Sequence, residues 1–242
     1  IVYTTVKIET SGQEFPFINN LITSTKELPE EFTVSLHSKD DQKFSSLIVS
    51  KISGSNDELK FSGSGWFADK DATMCTDMHV VREENDELSS FFGTIKIKEY
   101  RHEIQILDRR TENSPRGPRL RSYRAEFLGS DFSRDTATIK VLGIGPKDFD
   151  VMKKADSNLV KTCDEVFALG APHGLPDSFS APGIVSKTHR LAGMWYIEDF
   201  IQLTLPLRPG NSGSPIFNDR GEVIGMLDLG MRGGDNMSFA IA

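Results

Sequence analysis

The chain has 242 residues, 38% of them hydrophobic and 26% charged, which suits a folded globular protein and argues against wholesale disorder. Its net charge is −7 and its pI near 5.3, so nucleic-acid binding, which normally leaves a basic footprint, is disfavoured. No run approaches the roughly 18 apolar residues of a spanning helix, and no membrane span is expected.

The start, Ile1-Val2-Tyr3-Thr4-Thr5, has no initiator Met and no signal-peptide pattern, and reads as a processed or trimmed terminus. Residues 1–45 are expected to form an N-terminal extension, in which 16–29 could hold more than one helical turn. Short β-branched strands bounded by polar turns are predicted at 32–36, 47–52, 94–98, 103–107, 136–141, 165–169, 200–205 and 222–227. Between them, 82–90 is the other segment able to be helical. The stretch 108–122, with two prolines and few apolar groups, is expected to be an exposed loop. Arg109, Arg110, Arg116, Arg119, Arg121 and Arg124 make this region locally basic, for which a solvated loop is the plainer reading. Many short strands at loop-length spacing predict an all-β fold, a sandwich or a barrel. Cys75 and Cys163 are too few for a disulfide scaffold or a structural zinc site, and pairing and free thiols are equally open.

The chemistry concentrates in three places. Pro209-Gly210-Asn211-Ser212-Gly213-Ser214-Pro215 sets a serine among small residues between two predicted strands, which is how acyl-transfer enzymes expose a nucleophile. Such a hydroxyl needs a base, and Thr76-Asp77-Met78-His79-Val80-Val81 supplies one in His79. The other histidines are less suitable: His37, His102 and His189 lie in polar surroundings that suggest surface positions, and His173 sits in a turn. The base needs an orienting acid. Asp135, at the mouth of the strand 136–141, is the candidate, with Asp131 as rival in a turn-forming role.

The order His79, Asp135, Ser212 resembles a trypsin-like double β-barrel serine protease, and the details resemble the HtrA (Deg) family. The matching segments are Gly63-Ser64-Gly65, Thr76 to Val81, Gly129-Ser130-Asp131 through Asp135-Thr136-Ala137, Gly170-Ala171-Pro172-His173-Gly174, Gly183-Ile184-Val185-Ser186 and Gly221 to Gly225. The closing Ser238-Phe239-Ala240-Ile241-Ala242 is similar to the strand that ends the family's protease domain. The resemblance covers about residues 61–88 and 123–242. It departs at Asp77, where the family has Asn, at Ser214, where it has Gly, and in a longer 89–122.

The resemblance implies two six-stranded β-barrels over residues 46–242 with the active site between them, and no PDZ domain within this chain. It implies a serine endopeptidase acting on unfolded or regulatory proteins, in which Ser212 attacks, His79 shuttles the proton and Asp135 orients His79. The backbone N–H groups of Gly210 and Ser212 would form the oxyanion hole. Leu205, Pro206, Leu227, Asp228 and Leu229 would line the specificity pocket. That pocket would favour aliphatic residues unless Asp228 points into it. No metal or organic cofactor is implied. Protein or peptide substrates, a homotrimer with contacts through Phe15, Phe17 and Ile18, and an extracytoplasmic or organellar location follow from the same resemblance. A binding or chaperone protein with a resting site is the alternative. Because Asn211 carries no charge to receive a buried ammonium, the Ile1 terminus is expected to stay in solvent.

Overall fold

The computed structural model describes residues 1–8, 31–37, 44–50, 58–82, 87–90, 93–108, 111, 114–115, 119–174, 178–179, 182–190, 200–206, 208–230 and 237–242. The strands are β1 (Val2–Ile8), β2 (Glu31–His37), β3 (Phe44–Ser50), β4 (Glu58–Gly63), β5 (Trp66–Phe67), β6 (Thr73–Asp77), β7 (Glu87–Ser90), β8 (Gly93–Asp108) and β9 (Arg119–Asp131). Then come β10 (Thr136–Val141), β11 (Glu165–Gly170), β12 (Ser178–Phe179), β13 (Gly183–Arg190), β14 (Phe200–Leu203), β15 (Ser214–Phe217), β16 (Val223–Gly230) and β17 (Ser238–Ile241). A single-turn helix, α1 (Met78–Val81), follows β6 directly.

Two sheets result. The first runs β2-β3-β4-β1-β8-β9-β10-β6-β5, with β7 paired to β8, and stays open among the described residues. The second runs β12-β11-β13-β14-β17-β16-β15, and the extra pairing of β11 with β15 closes six of its strands into a barrel. The fold is therefore the expected trypsin-like double barrel in a modified form: one barrel closes with six strands, and its partner is a half-barrel.

Strict alternation explains the inner strands. In β10, Ala137, Ile139 and Val141 are buried while Thr136, Thr138 and Lys140 are only partly covered. One core gathers Val2, Phe67, Met74, Ile104 and Ile139 inside the first sheet, and another gathers Val166, Val185, Leu203, Leu205 and Leu227 inside the second. A third apolar cluster joins Trp66 of the first sheet to Phe200, Phe217, Met226 and Phe239 of the second. This seam sets the two halves against each other.

Several expectations are corrected here. The first described segment of 1–45 does not stand apart: β1 lies between β4 and β8 in the middle of the first sheet, with Val2 and Thr4 fully buried. Val2 and Thr4 alternate inward, so this segment belongs to the sheet. The Ile1 amino group is not in solvent either; it is half-buried and donates to the Gln105 carbonyl at 2.7 Å. The candidate helix 82–90 contains strand β7 over its last four residues. The candidate loop 108–122 is invaded from both sides by the β8–β9 hairpin, whose register still pairs Asp108 with Arg119. His102 is buried, with its Nδ1 3.1 Å from the Thr4 hydroxyl, and burial lowers its pKa to about 4, keeping the ring neutral. Both cysteines are free thiols. Residues 16–29, with Phe15, Phe17 and Ile18, lie outside the described residues.

Candidate active site

Asp135 makes three hydrogen bonds to two consecutive residues, one to Met78 and two to His79. The Asp135 carbonyl accepts the Met78 N–H at 2.8 Å, its Oδ1 accepts the His79 N–H at 2.9 Å, and its Oδ2 lies 2.6 Å from His79 Nδ1. An ionised carboxylate can only accept, so Nδ1 carries the proton and Nε2 is left with its lone pair. Asp135 reaches this position by a left-handed backbone conformation, φ +48, at the end of the 3₁₀ turn Phe132–Arg134. Asp is among the few side chains that tolerate it. Asp131 caps that turn through its own carboxylate to the Ser133 N–H at 2.9 Å, which is the turn-forming role.

Ser212 stands on the loop before β15. Arg208-Pro209-Gly210-Asn211 closes a turn by the Asn211 N–H to the Arg208 carbonyl at 3.0 Å. Proline at its first central position and Gly210 at φ +94 at its second define a type II turn, which demands glycine there. Gly213, at φ +85, is confined as well: a Cβ on it would lie 2.2 Å from the Ser64 carbonyl oxygen. The loop is clasped from the first sheet. The Ser64 N–H donates to the Ser212 carbonyl and the Ser64 hydroxyl to the Gly210 carbonyl, both at 2.7 Å. A Cβ on Gly63 would lie 2.5 Å from Val80 and 3.0 Å from the Ser212 carbonyl, so only a glycine lets Ser212 and the residue after His79 close around that point. Among the described residues, no hydrogen bond links the Ser212 hydroxyl to His79. None takes up the N–H groups of Gly210 and Ser212 either.

Two further carboxylates face this pair. Asp77 is wholly buried and Asp228 is 3% exposed, and none of their four oxygens has a hydrogen-bonding partner of ordinary kind. Burial pushes both well above the usual carboxylate range; the charge of Asp77 and then that of Asp135 add to it at Asp228 and the charge of Asp135 adds to it at Asp77, while His79 opposes at both. Burial also raises Asp135, but the charge and hydrogen bonds of His79 outweigh it and hold that carboxyl below its ordinary value. For His79 burial disfavours the cation. The charge and hydrogen bond of Asp135, then the charges of Asp77 and Asp228, lift the ring to about 10. Asp77, His79 and Asp228 place donor atoms within 4.8 Å of one another, but His79 Nδ1 is already bonded to Asp135, and we assign no metal ligands among them.

The expected pocket residues are placed differently. Leu205 and Leu227 are fully buried in the core of the second barrel, because the inward face of that barrel needs their volume, and they present no accessible wall. The Asp228 carboxyl lies within 4.8 Å of donor atoms of Asp77 and His79. Pro206 is half-buried, and the Leu229 side chain lies outside the described residues. Ser64 was visible only as part of a Gly-Ser-Gly string. The orientation of Asp77 and Asp228 had no sequence signal beyond the departure from Asn at position 77.

Comparison with known proteins agrees with this architecture. Residues 63–226 match the family described as the trypsin-like peptidase domain. A probable periplasmic serine endoprotease DegP-like of Pseudomonas fluorescens is 31% identical over 169 residues, 70% of this chain and 29% of the relative. The protein of the same description in Hahella chejuensis is also 31% identical, over 70% of this chain and 30% of its own length. The chain thus spans about three-tenths of the curated relatives it matches. Among solved structures, the HtrA-type protease AlgW with decapeptide superposes with a TM-score of 0.59 at 20% identity, over 99% of this chain and 60% of that one, and supports the fold. The chain belongs to the trypsin-like peptidase family.

Proposed function

We propose that this chain is an active serine endopeptidase in which Ser212 is the nucleophile, His79 the general base and Asp135 its orienting acid. The observation that carries the reading is the 2.6 Å contact of His79 Nδ1 with Asp135, which fixes the tautomer whose Nε2 can take a proton. Ser212 Oγ attacks the scissile carbonyl as His79 removes its proton. The proton then passes to the leaving amine, and water repeats the sequence on the acyl-enzyme. The N–H groups of Gly210 and Ser212 receive the developing oxyanion, each worth roughly 3–4 kcal/mol of barrier. The missing Ser212–His79 hydrogen bond closes when substrate orders the loop. Unfolded or regulatory polypeptides are the proposed substrates, and an extracytoplasmic setting follows from relatives described as periplasmic.

The second reading is a binding protein that keeps the fold with a resting site, favoured by that same unmade hydrogen bond. An organophosphorus fluoride separates the two. Mass spectrometry should find it on Ser212 of the parent and not on a His79→Ala variant. An unlabelled parent, or label on another residue, would remove the protease reading.

A further inference from the structure

We propose that Asp228 is a positioning residue for the His79–Asp135 pair, a neutral carboxylic acid whose O–H donates to the Asp135 carboxylate and holds it against the imidazole. Its effect on turnover rests on the protease reading above; the state of the carboxyl itself does not.

Three observations lead there. Asp228 lies on β16 with 3% of its surface exposed and receives no hydrogen bond on either oxygen. A buried carboxylate without a donor is among the costliest arrangements in a protein, and it ordinarily takes up a proton instead. The charged groups that face it are Asp77 from the end of β6, Asp135, and His79 from α1. The Asp228 carboxyl lies within 4.8 Å of donor atoms of Asp77 and His79, and Asp135, bonded to that same imidazole, is the carboxyl that acts on Asp228 as a side-chain hydrogen-bond partner. Two carboxyl oxygens in contact share a proton, because two like charges at that separation cannot both persist.

Which residue holds the proton follows from their partners. Asp135 already accepts the His79 N–H at 2.9 Å and faces Nδ1 at 2.6 Å, so it is the stabilised anion. Asp228 has no such donor and keeps the proton. Burial and the charges of Asp77 and Asp135 push it the same way. Asp77 behaves alike: the Gly213 N–H that faces it is given to the Leu227 carbonyl at 2.9 Å.

The protonation state matters for His79. With the charges of Asp135, Asp77 and Asp228 all acting on it, the ring is lifted to about 10 and would be cationic at neutral pH, unable to accept the Ser212 proton. Neutral Asp77 and Asp228 withdraw two of those charges, and the base faces a single carboxylate.

Infrared difference spectra of the parent and Asp228→Asn, with aspartate isotopically labelled, test the protonation directly. The parent at neutral pH should show the carbonyl band of protonated carboxyl groups, weakened in the variant. Its absence would overturn the proposal whether or not the protein cleaves anything. In turnover, Asp228→Ala should lose roughly thirtyfold in kcat with KM little changed, and Asp228→Asn, a neutral donor of the same shape, should restore activity to within about threefold. The parent should also lose activity at alkaline pH as Asp228 ionises, a limb that Asp228→Asn lacks. An Asn variant as impaired as the Ala variant, or one that keeps the alkaline limb, would overturn the positioning role. An unlabelled Ser212 with the protonated-carboxyl band present would instead remove the protease reading and leave the protonation standing.

Discussion

The Ser64 hydroxyl donates to the Gly210 carbonyl at 2.7 Å and accepts the Ala171 N–H at 2.9 Å. One buried side chain from the first sheet thereby fixes the turn before Ser212 and the end of β11 in the second. The close approach depends on small residues: a Cβ on Gly170 would lie 2.3 Å from the Ser214 hydroxyl and 2.8 Å from Asn211 Oδ1. The proposed oxyanion donor Gly210 is therefore held by a residue far from it in sequence.

Ser64→Ala strands the Gly210 carbonyl and the Ala171 N–H in a buried site. Leaving such groups unsatisfied costs about 1–3 kcal/mol each, so stability should fall by roughly 2–6 kcal/mol. The turn at Gly210 should loosen too, lowering kcat by about tenfold or more. Urea unfolding and peptide cleavage measure the two effects. A variant with unchanged midpoint and unchanged kcat would show that Ser64 does not hold the loop.

Asp135→Asn tests the tautomer argument. The amide can offer its N–H₂ to His79 Nδ1, which turns the ring's proton to Nε2 and leaves no base facing Ser212. A loss of about 10⁴ in kcat is expected with little change in the unfolding midpoint, since the side chain keeps its shape. Less than a tenfold loss would mean that Asp135 does not set the state of His79.

The residues of the proposed triad were more legible than the scaffold around them. His79, Asp135 and Ser212 sit in short motifs of small residues and turns, where local chemistry dictates residue type. Strand β10 is as readable, because one face is buried and one is not, and its alternation survives in sequence. β1 was missed because the inward pair at its start is Val2 and Thr4, and a threonine in a core reads as polar. β9 was missed because its first four residues are exposed arginines and their neighbours, supported by pairing with β8 and not by a buried face. Leu205 and Leu227, expected to line a pocket, fill the barrel core instead. Apolar side chains flanking a nucleophile serve a barrel core as readily as a substrate wall, and only packing decides between them.

A lock far from the site should make stability depend on acid. Glu222 is bonded by Lys153, by Asn218 and by Arg220, the last through Nε at 2.9 Å, and these partners hold its carboxyl down at about 2. A depressed carboxylate contributes stability above the ordinary Glu value of 4.5, and the contribution is lost as pH falls from there toward 2. Glu222→Gln should therefore lower Tm relative to the parent at neutral pH, and the two curves should converge near pH 2. A difference that stays constant from pH 7 to pH 2 would assign the effect to packing and not to the charge.

The N-terminus gives the last test. Ile1 and Gln105 exchange two hydrogen bonds, Ile1 nitrogen to the Gln105 carbonyl at 2.7 Å and the Gln105 N–H to the Ile1 carbonyl at 2.9 Å. This is the pattern of a hydrogen-bonded antiparallel pair, and it continues the register of β1 on β8, in which Val2 lies opposite Ile104. An amide N–H would make the same bond as the ammonium, so a longer chain simply extends the strand. The residue before Ser212 is the uncharged Asn211, buried at 7% exposure, which offers an inserted ammonium no counter-charge. Adding a few residues ahead of Ile1 should accordingly leave kcat/KM within about twofold. A loss of a hundredfold, about 2.7 kcal/mol on the barrier, would mean that the amino group leaves Gln105 and orders the Ser212 loop in the active form.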